Sequence, residues 1–372
     1  MKLFYLLLLS FALRLFRLGT PDAYIFDEVY HLPAIRAISQ NNRAAYDPFA
    51  KAPEPNTAYD WLHPPLAKLI QAGSVKLLGD NSFAWRFPSV IFGTAAAAAL
   101  YFFALTLFSS RPLALLAAAI FSFDNLQLTM SRIAMNDIFV TTWIILALAF
   151  FYRKKFLVSA VFTGLAISTK HSAVFLYPIF LLFGFRQFYY YILIPPLIYI
   201  LSYSQLFLLG GRLTDFYNLH KQIFWYQTHL TATHGYQSMA WQWPLLIRPV
   251  WFYVNYLKDS TANIYNLGNP VIFWGGLVAV FFSRNWYLLI SYFSLFFPFI
   301  FSPRIMFLHH YLPALPFLCL ILAQRLNTFS KKTITIIMTI TVIIFIFFFP
   351  INTAIPLPNN WLKYWFWLPT WR

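Results

Sequence analysis

Apolar residues in this chain run in long unbroken stretches instead of alternating with polar ones. Stretches near the roughly 17–25 residues that a helix needs to cross a bilayer lie at about 3–19, 83–108, 112–130, 136–151, 156–169, 172–184, 188–209, 271–283, 286–302, 306–323 and 333–350. They predict an all-α polytopic membrane protein with about 11 transmembrane helices. Two longer, more polar segments interrupt them, at about 20–82 and about 210–270, and the other connections are tight. The chain therefore divides into an N-terminal transmembrane module (1–209) carrying the first long segment, a second long segment (210–270) and a C-terminal transmembrane module (271–372).

Composition supports this reading. Only 10% of the 372 residues are charged, against roughly 25% in a soluble domain, so a water-facing globular surface is excluded. Disorder is excluded as well, because 43 Phe, 23 Tyr and 13 Trp oppose the low hydrophobicity of chains that bury no core. The lone Cys319 lies in an apolar run, where it reads as a small core side chain. Arg14 and Arg17 occupy the place where a signal-peptide cleavage site needs small residues, so the first span is expected to be retained.

Charge then orients the chain. Lys2, Arg111, Arg153, Lys154, Lys155, Arg186, Arg284, Arg325, Lys331 and Lys332 fall in alternate connections that hold no acid. By the positive-inside rule these are cytoplasmic, which places the N-terminus inside, and both long segments and the C-terminus outside. All 11 acids share the outer half with the other 17 of the 27 basic residues. Arg14, Arg86, Arg132 and Lys170 lie within or at the edge of apolar spans, where a charge is costly and faces a partner or a polar cavity. An anion bound near the outer face is the expectation. The cytoplasmic basic residues form short loops instead of a groove, which argues against nucleic acid.

The chemistry-bearing residues cluster on that outer side. Asp27 and Glu28 directly follow the first span, as an acid/base pair, a metal site or a solvated loop start. His63-Pro64-Pro65 leads into an amphipathic stretch with Lys68, either an interfacial anchor or a pair of groups turned toward an anion. Arg86, Arg132 beside Asp137, and Lys170 each place one cation at similar depth; alone, each would read as a snorkelling anchor.

In order along the chain, FDEVYH, HPPLAK, WRFPS, SRIAMND, GLAISTKHS, GYQSMAWQWPLLIRPVWFY, IYNLGNPVIFW and HHYLPALPF resemble the protein O-mannosyltransferases, the GT-C enzymes of glycosyltransferase family 39. Larger members carry a β-trefoil (MIR) insert in the second outer segment; here about 60 residues occupy it, so the chain resembles the shorter bacterial members and no MIR domain is expected. Tyr30-His31 stands where many members have His followed by Phe, which leaves His31 without an assigned role.

The resemblance implies a polyprenyl-phosphate mannose donor, a Ser or Thr hydroxyl of a secreted or membrane protein as acceptor, and catalysis at the external face of the cell membrane. Asp27 maps onto the family's acidic residue and would act as base; Glu28 would orient the acceptor or pair with Arg14. Phosphate leaves as a stable anion, so the site needs positive charge and hydrogen-bond donors where negative charge develops. Arg14, Arg86, Arg132, Lys170, His309 and His310 are the candidates, with Arg86 favoured by its motif; a guanidinium suits phosphate because its planar fork makes bidentate bonds. His309 and His310 read equally well as a satisfied interfacial cluster. Tyr236, Trp241 and Trp243 would line the acceptor groove or form an aromatic belt, and His63, Lys68 and Asp137 would serve the acceptor or its loop. No cofactor is required on this reading; Asp27, Glu28, Asp137 and His31 could hold a divalent metal, which is not expected to be essential. The competing readings are a GT-C enzyme that modifies a lipid or glycan, and a flippase or transporter for a lipid-linked sugar; transporters often show repeated halves, and no such repeat is seen.

Overall fold

A computed structural model of the chain describes residues 1–302 and 304–372. The apolar runs fold as helices: α1 (Lys2–Leu15), then α2 (Glu28–Ser39) and α3 (Leu66–Leu78) in the first long segment, then α4 (Ser82–Phe108), α5 (Arg111–Ser122), α6 (Asn125–Met130), α7 (Asp137–Tyr152), α8 (Phe156–Ile167), α9 (Tyr177–Gly184), α10 (Tyr189–Ser202) and α11 (Ser204–Leu208). The second long segment begins with α12 (Leu213–His229), and α13 (Pro270–Phe282), α14 (Trp286–Phe296), α15 (Leu315–Leu326) and α16 (Lys331–Asn352) complete the set.

Polar residues between the apolar runs set the boundaries. Asn81 accepts from the Ala84 amide at 3.0 Å to start α4, and Ser109 ends it in the left-handed region at φ 51°. Ser330 caps α16 in the same way. Such side chains satisfy amides that the first helical turn leaves free. The expected span at 112–130 is broken at Phe123-Asp124. Asp124 caps α6 through the Gln127 amide at 2.9 Å, and its second oxygen accepts from the Asn269 amide at 3.0 Å, which ties this break to the start of α13.

By length and composition, α4 and α16 are the two helices among the described residues that are long and apolar enough to cross a bilayer. The other apolar runs are covered by shorter helices, several extended by 3-10 turns such as 171–176 before α9 and 297–301 after α14. A small antiparallel sheet interrupts the helical pattern, with β1 (Val250–Tyr256), β2 (Ser260–Asn266) and β3 (Pro356–Pro358) in the order β1-β2-β3. It joins the second long segment to the C-terminal tail, a pairing that no local periodicity announces.

The core lies where α4, α5, α7 and α15 pack with Ala, Leu, Ile and Phe side chains. Gly93 permits one close approach: a Cβ there would stand 2.2 Å from Ser131 Oγ, and its carbonyl accepts from Gln127 Nε2 at 3.0 Å. That approach seats the 127–137 segment over α4 and brings Arg132 and Asp137 to the same end of the bundle as α2. In two of the basic connections the guanidinium groups cover aromatic rings, Arg153 stacking on Phe102 and Arg325 on Phe282.

Candidate active site

The loop between α1 and α2 is fixed by a buried ion pair. Arg86, on the first turns of α4, grips Glu28 with two parallel bonds, Nε to Oε1 at 2.9 Å and Nη2 to Oε2 at 2.8 Å, and both side chains are fully buried. Arg86 also donates to the carbonyls of Leu18, Pro21 and Ala23 at 3.3, 2.7 and 2.6 Å. Glu28 accepts in addition from the amides of Ile25 and Ala134, both at 2.9 Å. A buried pair is favourable only when its remaining lone pairs and protons are satisfied, and here they are.

Two more candidate cations serve the same framework. Arg132 donates to the carbonyls of Leu13, Arg14 and Phe16 at 3.3, 2.5 and 2.6 Å, filling the acceptors exposed at the end of α1. Arg14 bonds to Ser10 and Gln127 and makes no contact with Glu28. The pairing of Glu28 with Arg14 is thus corrected to Arg86. None of these three guanidinium groups lines the cavity described next.

Asp27 faces the other way. It precedes α2, its side chain makes no cap bond, and it lines a cavity of about 560 Å³ together with Tyr30, His31, Asp60, His63, Asn136, Asp137, Lys170, Tyr226, His234, Arg304, Phe307, His309 and His310. Burial pushes the Asp27 carboxyl up to about 6, against the opposing pull of His31, so it is a stronger base than an ordinary aspartate. Across the cavity Lys170 Nζ lies 2.7 Å from Asp137 Oδ1. Arg304 bonds to Gln227 and stacks over Tyr226 at 5.7 Å, with no carboxylate partner among the described residues. His309 and His310 stack with centroids 4.4 Å apart. Arg304 Nε, His309 Nδ1 and both amide atoms of Asn136 are buried and find no hydrogen-bond partner among the described residues. Buried polar atoms are normally paired, so this wall is suited to a polar ligand.

A second polar cluster stands beside Asp27. Asp60 lies 2.8 Å from His63 Nδ1, 3.0 Å from His31 Nδ1 and 3.1 Å from Lys68 Nζ, and Lys68 also donates to the His63 carbonyl at 2.8 Å. Burial alone would push the Asp60 carboxyl up, but the neighbouring His63, Lys68 and His31 hold it well below the usual carboxylate range. Burial pushes the His63 imidazole down, opposed by Asp60.

Of the residues singled out in the sequence, Asp27, His63, Asp137, Lys170, His309 and His310 thus meet around one cavity. Glu28, Arg14, Arg86, Arg132 and Lys68 are buried in the frame around it. The aromatic candidates stand off: Tyr236 packs under Arg248 and against Trp251, Trp241 is half exposed, and Trp243 is buried behind His310, donating to Ser238 Oγ at 3.0 Å. None of the three lines the cavity. Asp60, Asn136, Tyr226, His234 and Arg304 were missed. Arg304 carried a signal, a cation in Pro-Arg-Ile-Met-Phe-Leu-His-His at the edge of an apolar run; Asp60 carried one too, three residues before His63.

Comparison with known proteins gives concordant results. Residues 4–209 match the family model described as dolichyl-phosphate-mannose-protein mannosyltransferase. Residues 212–285 and 281–371 match that of the C-terminal four-transmembrane region of protein O-mannosyltransferase. The chain is 29% identical over 195 residues to dolichyl-phosphate-mannose–protein mannosyltransferase 5 of Candida albicans, an alignment spanning 41% of this chain and only 27% of that relative. It is 22% identical to the polyprenol-phosphate-mannose–protein mannosyltransferase of Corynebacterium glutamicum over 95% of this chain and 89% of that one. Among solved structures, the Saccharomyces cerevisiae protein O-mannosyltransferase Pmt1–Pmt2 complex bound to the sugar donor superposes with TM-score 0.78 at 14% identity, covering 100% of this chain and 92% of that one.

Proposed function

The chain belongs to the dolichyl-phosphate-mannose-protein mannosyltransferase family, and from that premise we propose that it transfers mannose from polyprenyl-phosphate-mannose to Ser or Thr hydroxyls of proteins at the outer face of the cell membrane, with inversion at the sugar carbon. The observation that carries this reading is the cavity itself, where a carboxylate without a cap bond, Asp27, shares one wall system with Lys170, Arg304, His309 and His310.

The chemistry follows from that arrangement. The donor phosphate lies against Lys170 and Arg304, with the unpartnered His309 Nδ1 and Asn136 amide as further donors. The bond from the sugar carbon to the phosphate oxygen breaks, and its electron pair leaves on the phosphate. Cations placed where that charge develops lower the barrier, and no acid is needed for so stable a leaving group. The acceptor oxygen attacks from the opposite face, and its proton passes to the Asp27 carboxylate. A base near the ambient pH is more effective than an ordinary carboxylate, and burial moves Asp27 in that direction. Glu28 has a framework role here instead of an acceptor role, because both its oxygens are already occupied. Lys68 supplies the cation beside Asp60, so this reading invokes no metal.

Membranes containing the chain, supplied with labelled polyprenyl-phosphate-mannose and a Ser/Thr peptide, should label the peptide. Label appearing in lipid or glycan alone would favour the related reading of a GT-C enzyme with a non-protein acceptor. Donor crossing the membrane without any transfer would favour a flippase.

A further inference from the structure

Two imidazoles of the cavity wall are not used by the transfer chemistry. His31 and His63 lie with ring centroids 5.7 Å apart and planes at 32°, and both line the cavity. His63 Nδ1 is hydrogen-bonded to Asp60 Oδ1 at 2.8 Å, whereas His31 Nδ1 lies 3.0 Å from Asp60 Oδ2 without hydrogen-bond alignment and has no other partner among the described residues. An ionised carboxylate only accepts, so Nδ1 of His63 carries the proton and its neutral ring offers Nε2 as an acceptor; the nearby Asp60 charge favours the same tautomer in His31. Lys68, 3.1 Å from the same carboxylate, already balances its charge, which disfavours a further cation on His63. Among the described residues neither Nε2 makes a hydrogen bond, and neither is among the fully buried unpartnered atoms. The cavity therefore offers donors on Lys170, Arg304 and the Asn136 amide nitrogen, and acceptors on His31 and His63.

We propose that His31 and His63 read the sugar: their Nε2 atoms accept hydrogen bonds from hydroxyls of the glycosyl group carried on the lipid phosphate, and Asp60 is the positioning residue that fixes the His63 tautomer through its hydrogen bond and biases that of His31 through its charge. This inference rests on the functional reading for its ligand, a lipid-phosphate sugar. With the phosphate on Lys170 and Arg304, the glycosyl ring is the part of the donor that needs acceptors, since each free hydroxyl has a proton to give. The acceptor Ser or Thr is served by Asp27 instead. His31, Asp60 and His63 do have three metal-ligand types within 4.8 Å of one another, but Lys68 occupies the cation position and both Asp60 oxygens are engaged.

The test is donor affinity, measured on the purified full chain in nanodiscs without any acceptor, for polyprenyl-phosphate-mannose, its singly deoxygenated analogues and bare polyprenyl phosphate. The unaltered chain should bind at least one deoxy analogue about ten-fold more weakly than the mannosyl donor, the scale of one lost hydrogen bond. His63→Ala should abolish that ratio and leave affinity for bare polyprenyl phosphate unchanged, and His63→Gln, which can offer an acceptor near Nε2, should restore part of it. Asp60→Asn, which can donate to Nδ1 and reverse the tautomer, should behave like His63→Ala. Equal weakening toward all three ligands, an unchanged ratio in both His63→Ala and His31→Ala, or a ratio abolished by EDTA would overturn the proposal. Peptide labelling in a parallel transfer assay reports on the functional reading separately, so either can fail alone.

Discussion

Glu28 accepts four hydrogen bonds, two of them from Arg86 and two from backbone amides, whereas Asp27, its neighbour in sequence, makes no cap bond and faces a cavity. The knot around Glu28 and the cavity around Asp27 are built from the same residue types. They differ in whether the cations are occupied. In the knot the Arg86 guanidinium is wholly spent on Glu28 and on carbonyls of the α1–α2 loop; in the cavity Arg304 Nε, His309 Nδ1 and the Asn136 amide have no partner among the described residues. A buried charge whose bonds are all made holds a loop in place, and one with bonds to spare can hold a ligand.

The strongest way to break that comparison is at Asp27. Asp27→Asn should lower mannose transfer by roughly 10²–10⁴-fold, the usual contribution of a general base, with the protein still abundant in the membrane. Because burial raises the folded carboxyl above its ordinary value, ionised Asp27 costs stability as pH rises through about 6. The Asn variant should therefore melt at the same or a higher temperature at pH 8. Near-normal transfer by Asp27→Asn would remove Asp27 as base.

Arg86 tests the knot. Arg86→Ala leaves Glu28 buried without its partner, which should destabilise the protein by about 3–5 kcal/mol, read as lost membrane abundance and a lower Tm. A well-folded Arg86→Ala whose only defect is a higher KM for donor would instead make the knot the phosphate site. Lys170→Ala should show the reverse pattern, with donor KM raised about ten-fold by loss of a charge-assisted bond and peptide KM little changed. The pH profile gives a smaller effect: kcat/KM should fall as pH drops through about 6, since Asp27 must be ionised to take the proton. Removing divalent cations with EDTA should change the rate by less than about two-fold, because Lys68 already supplies the cation beside Asp60.

Much of this was legible in the sequence. Composition and run length gave the helical membrane class, and the ordered motifs gave the family. They also gave Asp27, His63, Asp137, Lys170, His309 and His310, which converge on the cavity although they are spread from α2 to the start of α15. Which cations face the cavity was not legible. Arg86, Arg132 and Lys170 look alike as single charges at span edges, and only the folded chain shows that Glu28 and backbone carbonyls take up the first two while Lys170 pairs with Asp137 in the cavity wall. The sheet was not legible either, since β3 pairs with β2 across about a hundred residues. Arg304 and Asp60 were missed because each stood alone beside a more conspicuous histidine motif.

The most direct measurement is a structure of the full chain with polyprenyl phosphate bound. The account predicts phosphate oxygens within about 3 Å of Lys170 Nζ or the Arg304 guanidinium, with Arg86 still gripping Glu28. Phosphate oxygens bound instead by Arg86 or Arg132, with the Glu28 pair opened, would contradict it.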